Sequence, residues 1–94
     1  MNQLFVVGRV KDIEKNEKYS TLKLEVSRSY KNTDGIYEKD VIPIILFKNL
    51  SENVLQYCKK NDVLGCKGTM QFNNFEKKLN IIAERISFLS TSTS

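Results

Sequence analysis

Two tyrosines, Tyr30 and Tyr37, stand on either side of Asp34-Gly35 in the stretch RSYKNTDGIYEKD, residues 28–40. Arg28, Lys31 and Lys39 surround them. Flat rings among cations have a definite chemistry. A ring face stacks on another π-system, while neighbouring charges hold an anion. One aromatic in a polar hairpin is ordinary surface scatter; two among cations ask for a partner. A second reading stays open, in which the two rings pack on each other across the hairpin, a cross-strand pair contributing up to about 1 kcal/mol.

Two further rings sit in polar phase. Phe47 closes the run IILF and shares parity with Pro43 and Ile45, opposite the apolar set Ile42, Ile44 and Leu46. Phe75 shares parity with Lys67, Gln71 and Asn73. Tyr30 falls in phase with Leu22, Leu24 and Val26, so a bulge, or an arm leaving the barrel, must free it. Against these stand plainer roles: Phe47 in a second core or a subunit contact, and Phe75 capping its own hairpin. Phe5, Phe72 and Phe88 are expected in core or interface. The cations available to an anion are Arg9, Arg28, Lys31, Lys39, Lys48, Lys67, Lys77 and Lys78. The set expected to cluster around the rings is Arg28, Lys31, Lys48, Lys67 and Lys77.

Catalytic and metal chemistry find little support. The chain has no histidine and only two cysteines, Cys58 and Cys66, too few for a four-ligand zinc site. No nucleophile elbow, phosphate loop or metal motif occurs. No catalytic residue, metal or cofactor is expected. Both cysteines read as small apolar residues in a reduced setting. The net charge of +4 is compatible with a polyanion. Ninety-four residues make one domain, with no apolar run long enough to span a membrane. The N-terminus MNQLFVVGRV reads as a strand, not a signal peptide.

The elements follow from periodicity. Residues 4–10 are a β-branched strand whose Gly8 suggests a bulge or bend, and 11–20 form a polar connection. Residues 21–30 alternate, with Leu22, Leu24 and Val26 on one face. Asn32 to Gly35 turn the chain, Gly35 suiting a positive φ. Residues 37–48 return, with Pro43 marking an edge or irregularity. Asn49, with Glu52 three residues on, predicts a capped helix, Ser51 being the rival cap. Leu50, Val54, Tyr57 and Cys58 line one side of it, Lys59 and Lys60 fall in the last turn, and Asn61 is a left-handed stop. Residues 63–75 and 79–89 are the last two strands. The order β-β-β-α-β-β, all-β with one helix plugging the bottom, is that of the OB-fold, a five-stranded Greek-key barrel. The domain is set at 1–89, with a disordered tail at 90–94.

In this order the segments LFVVGRV, LEVSRSYKNTDGIYEKD, IILFKNLSENVLQYCKKNDVLGCKGTMQ and IIAERISFL resemble the bacterial and phage single-stranded DNA-binding proteins of OB-fold type. The resemblance spans residues 2–89. It implies that Tyr30, Phe47 and Phe75 occupy positions where that family carries stacking aromatics. At a fourth such position stands Val41, and Pro43 replaces an often basic residue; Tyr37 would partly compensate. It further implies a homodimer or homotetramer, built on an edge left by the first strand and on Phe5 and Val7. It implies a bacterial cytoplasmic setting, with a phage or plasmid origin open, and roles in replication, recombination or repair. The chain ends STSTS without the family's acidic tip: either that tail was removed or this is a tailless member, and recruitment of partners through an acidic peptide is not expected. The competing reading is an OB-fold interaction module of a replication or primosome assembly with weak nucleic-acid binding, which Val41 and Pro43 favour. RNA is a third possibility, since stacking does not separate the two sugars.

Overall fold

The alternation of β2 sets the architecture. In the computed structural model, which describes residues 2–90, Leu22 and Leu24 are fully buried while Lys23 and Glu25 point outward. The elements are β1 (Leu4–Lys15), β2 (Ser20–Lys31), β3 (Tyr37–Leu46), α1 (Lys48–Tyr57), β4 (Val63–Asn73) and β5 (Lys78–Ser90). They close a barrel with neighbours in the order β1, β2, β3, β5, β4. This is the five-stranded OB-fold that the element order predicts. All pairings are antiparallel except that of β3 with β5, a seam of two registered pairs, Ile44 with Ile81 and Ile45 with Ile82.

Inside lie Val10, Leu22, Leu24, Ile44, Leu46, Leu64, Cys66 and Ala83 from the strands, and Val54 from α1. The helix lays Val54, Leu50 and Cys58 against them and plugs one end. Both cysteines are free, and burial pushes each thiol up to about 11, which fits their expected role as small apolar residues.

Several boundaries differ from expectation. β1 runs on to Lys15 through residues read as a polar connection, because this half pairs with β2 after a register shift between Val10 and Asp12. The irregularity is therefore beyond Gly8. What Gly8 answers is close approach: a Cβ there would sit 2.6 Å from the Glu25 carbonyl oxygen. β3 stops at Leu46, and Phe47 is the N-cap of α1, with no side chain capping the helix. Strand leads into helix without a linker, so the register of β3 chooses the cap. Asn49 lies inside the helix, and the hydroxyl of Ser51 is 2.6 Å from that of Ser20, both buried. The helix ends at Tyr57, which is exposed, and Lys59 and Lys60 lie beyond it. Asn61 does take a left-handed φ of 75°, in the turn to β4. Pro43 pairs in register with Lys23; the seam with β5 begins one residue later, so the flank where an N–H would be missed has no registered partner. Ser90 ends β5, and the tail expected at 90–94 otherwise lies outside the described residues.

Candidate nucleic-acid interface

The outer face of β2 and β3 is a ladder of side-chain rows. Thr21 stands opposite Ile45, Lys23 opposite Pro43, Glu25 opposite Val41 and Ser27 opposite Lys39. Beyond Ser27 the register slips: residues 28–30 of β2 face the single residue Glu38 before Lys31 meets Tyr37. This bulge lifts Tyr30 out of the core phase and leaves it 65% exposed. Tyr37 is 51% exposed, and the Lys31 ammonium sits 5.7 Å from its ring centroid. Among the described residues the one aromatic pair is elsewhere, so the mutual packing of Tyr30 and Tyr37 is not observed.

The arm's tip is fixed by its own backbone. The side-chain oxygen of Asn32 accepts the N–H of Asp34 and of Ile36, and Gly35 takes a φ of 76° that other residues rarely adopt. Behind the tip, Arg28 donates to both carboxylate oxygens of Asp40 at 3.0 Å and lies 3.4 Å from Glu38. This bidentate bond holds the Asp40 carboxyl below its ordinary range and raises the guanidinium. Arg28, expected to face phosphate, is engaged within its own hairpin. Glu25 is likewise lowered, by Lys11 first and Lys39 second.

At the other end of the ladder stands Phe47, 51% exposed, in edge-to-face contact with Tyr19 at 6.2 Å and 67°. Lys48 follows at once. Across the seam, the turn between β4 and β5 carries Phe75 at 98% exposure. Asn73 shapes it, its side-chain oxygen accepting the N–H of Phe75 and of Glu76. Lys77 closes it with a φ of 56°. Lys67 is apart, on the outside of β4 between Phe5 of β1 and Arg85 of β5. Lys31, Lys48, Lys67 and Lys77 have no carboxylate of the described residues within ion-pair distance.

The expected residues thus fall in four places: the arm, the helix start, the second hairpin and the back of β4. The arm and the helix start stand at the two ends of the β2–β3 ladder, and the second hairpin lies across the cleft from the helix-start end. A cleft of about 120 Å³ lies between the helix-start end of the ladder and the second hairpin, lined by Tyr19, Thr21, Pro43, Ile45, Glu76, Lys78, Leu79 and Asn80. Of these only Pro43 and Lys78 drew notice in the sequence as possible parts of a site. Tyr19 was hidden in a stretch read as connection, although its parity with Thr21 and Lys23 was there to see. No cluster of metal-ligating side chains forms among the described residues.

A family model described as the single-strand binding protein family matches residues 1–89. The chain is 31% identical to single-stranded DNA-binding protein 1 of Staphylococcus aureus (strain Mu50), in an alignment covering all of this chain and 69% of that protein. Its fold is similar to the crystal structure of a small single-stranded DNA binding protein from Mycoplasma pneumoniae, with a TM-score of 0.77, 14% identity and 99% of each chain covered. It is also similar to a mitochondrial single-stranded DNA binding protein from S. cerevisiae, with a TM-score of 0.69 and 16% identity over 96% of this chain and 95% of that one.

Proposed function

The chain belongs to the single-strand binding protein family, and from that premise we propose how it holds its ligand. It binds single-stranded DNA. Unpaired bases stack on Tyr30, Tyr37, Phe47 and Phe75 while Lys31, Lys48 and Lys77 meet phosphates, without strong choice of sequence, because every base offers a π-face. The observation that carries this is exposure: Tyr30, Tyr37, Phe47 and Phe75 are each at least half exposed where a core role would bury them. Arg28 stiffens the arm rather than binding phosphate. Lys67, on the back of β4, serves a strand that wraps past β5. The protein acts as a binder rather than a catalyst, in the bacterial cytoplasm, and coats strands in replication, recombination or repair.

Self-association accompanies this function. Over residues 4–8, β1 has registered pairs on its β4 side only, and Phe5, Val7 and Leu89 are exposed on that outer surface. A homodimer or homotetramer would cover them. A weakly binding interaction module is the second reading, favoured by Val41 and Pro43 in mid-face, where an aromatic platform is missing.

Tyrosine fluorescence titrated with oligo(dT) at several salt concentrations decides between them. Quenching is expected, with log K falling against log salt at about −0.7 per phosphate contact. Absent quenching, with unchanged oligonucleotide mobility, would overturn the DNA-binding reading in favour of the module.

A further inference from the structure

The pairing of β2 with β3 extends one row further than its hydrogen bonds. Registered partners run from Ser27 and Lys39 through Thr21 and Ile45 to Ser20 and Leu46. Tyr19 and Phe47 are the next residues of each strand, on the same outer face as Thr21 and Ile45. Their edge-to-face contact is therefore a cross-strand pair at the end of the ladder.

That corner is held firmly. Directly beneath it, Ser20, Leu46 and Ser51 are buried, and the two serine hydroxyls bond at 2.6 Å, tying the start of β2 to the first turn of α1. The Asn16 N–H donates to the Tyr19 carbonyl at 2.8 Å and closes the four-residue turn that presents the ring. Phe47 remains half exposed after the contact. Two ring planes at 67° make a corner in which a flat ligand stacked on one ring meets the edge of the other.

Tyr19 also forms one wall of the cleft across the seam. Its floor is the apolar pair Pro43 and Ile45, and its far wall is Leu79 and Asn80. The floor suits the face of a base, and the Thr21 hydroxyl and Asn80 carboxamide suit its polar edge. On its other side Tyr19 borders a second groove carrying Lys15, Lys18 and Lys48 against Glu17 and Glu52. Those three lysines have no carboxylate of the described residues in ion-pair range. With the ion-paired Glu76 and Lys78 completing its lining, the cleft offers an apolar floor to one base, and the lysines of the groove beyond Tyr19 offer contacts to its phosphate.

We propose that Tyr19, paired with Phe47, is a nucleobase-contacting residue, and that the cleft floored by Pro43 and Ile45 seats one unpaired base. This rests on the single-stranded DNA reading and adds a subsite to it. Pro43 and Ile45 then serve as an apolar platform where an aromatic is absent.

The test uses the full chain and oligo(dT) carrying one 5-iododeoxyuridine, a photoreactive base that couples to nearby aromatic side chains. Peptide mapping of the irradiated wild-type complex is expected to find coupling at Tyr19. In parallel, Tyr19→Ala should weaken oligo(dT) binding roughly 5- to 150-fold, the range for loss of one stacked base, and Tyr19→Phe should keep the affinity within about threefold, since its ring remains. Wild-type binding with no coupling at Tyr19 and unchanged affinity in Tyr19→Ala would overturn this subsite alone. Failure of the wild type to bind would overturn the DNA reading itself. Should Tyr19→Ala fail to fold by circular dichroism, the coupling map on the wild type decides.

Discussion

Phe75 separates binding from stability more cleanly than any other ring. At 98% exposure it has almost no packing to lose. Phe75→Ala is expected to leave the melting temperature unchanged and to cost about 1–3 kcal/mol of oligo(dT) affinity, measured by fluorescence titration. Its neighbour Lys77 presents the opposite case. A residue with a side chain held at a φ of 56° is strained, by about 1–2 kcal/mol in the left-handed region. Lys77→Gly relieves that strain, offset by the greater freedom of glycine in the unfolded chain. Thermal unfolding should show stability held or raised by up to about 1 kcal/mol. The slope of log K against log salt should shrink by about 0.7, because one phosphate contact is gone. Gain in one measurement with loss in the other is what a cation kept for its ligand predicts.

The arm of β2 and β3 depends on charge for its rigidity. Asp40 bonds Arg28, and its carboxyl is held below the ordinary aspartate value of 3.8. A depressed folded value means that the stabilisation is complete above 3.8 and is lost as pH falls through the lower, folded value. Amide exchange in the arm, followed from pH 7 to pH 3 and corrected for intrinsic rates, should accelerate only at the acidic end. In Asp40→Asn it should already be fast at pH 7. A wild-type arm equally protected at both ends of that range would refute the role. Legibility at this scale was uneven. The alternation around Leu22 and Leu24, and the turn at Gly35, were plain because side-chain period and positive φ are local properties. The second half of β1 was not: Lys11, Asp12, Glu14 and Lys15 carry no apolar alternation, and it is pairing with β2 that makes them a strand. Asn49 looked like a cap because cap chemistry is local, whereas the tertiary register of β3 put Phe47 there. Tyr19 became a candidate only when the ladder showed what stood beside it.

At the scale of the molecule, the barrel order was readable because five strands and one helix in that sequence have few ways to close. How the exposed aromatics are disposed was not, since they lie on two different hairpins and at a strand-to-helix junction. The outer surface around Phe5 carries a further expectation. The Phe5 ring covers Gly65 and leaves its own far side to solvent. Phe5→Glu should shift sedimentation toward the monomer, while circular dichroism stays that of a folded barrel. Last is the seam, where β3 and β5 meet through only two registered pairs. It is the thinnest suture in the wall, and it runs beneath the cleft whose sides belong to β2, β3 and β5. A strand lying across would act as a splint. Deuterium uptake at Ile44, Ile45, Ile81 and Ile82 should therefore slow on loading with oligo(dT), and the ligand would mend the one line along which its receptor most readily parts.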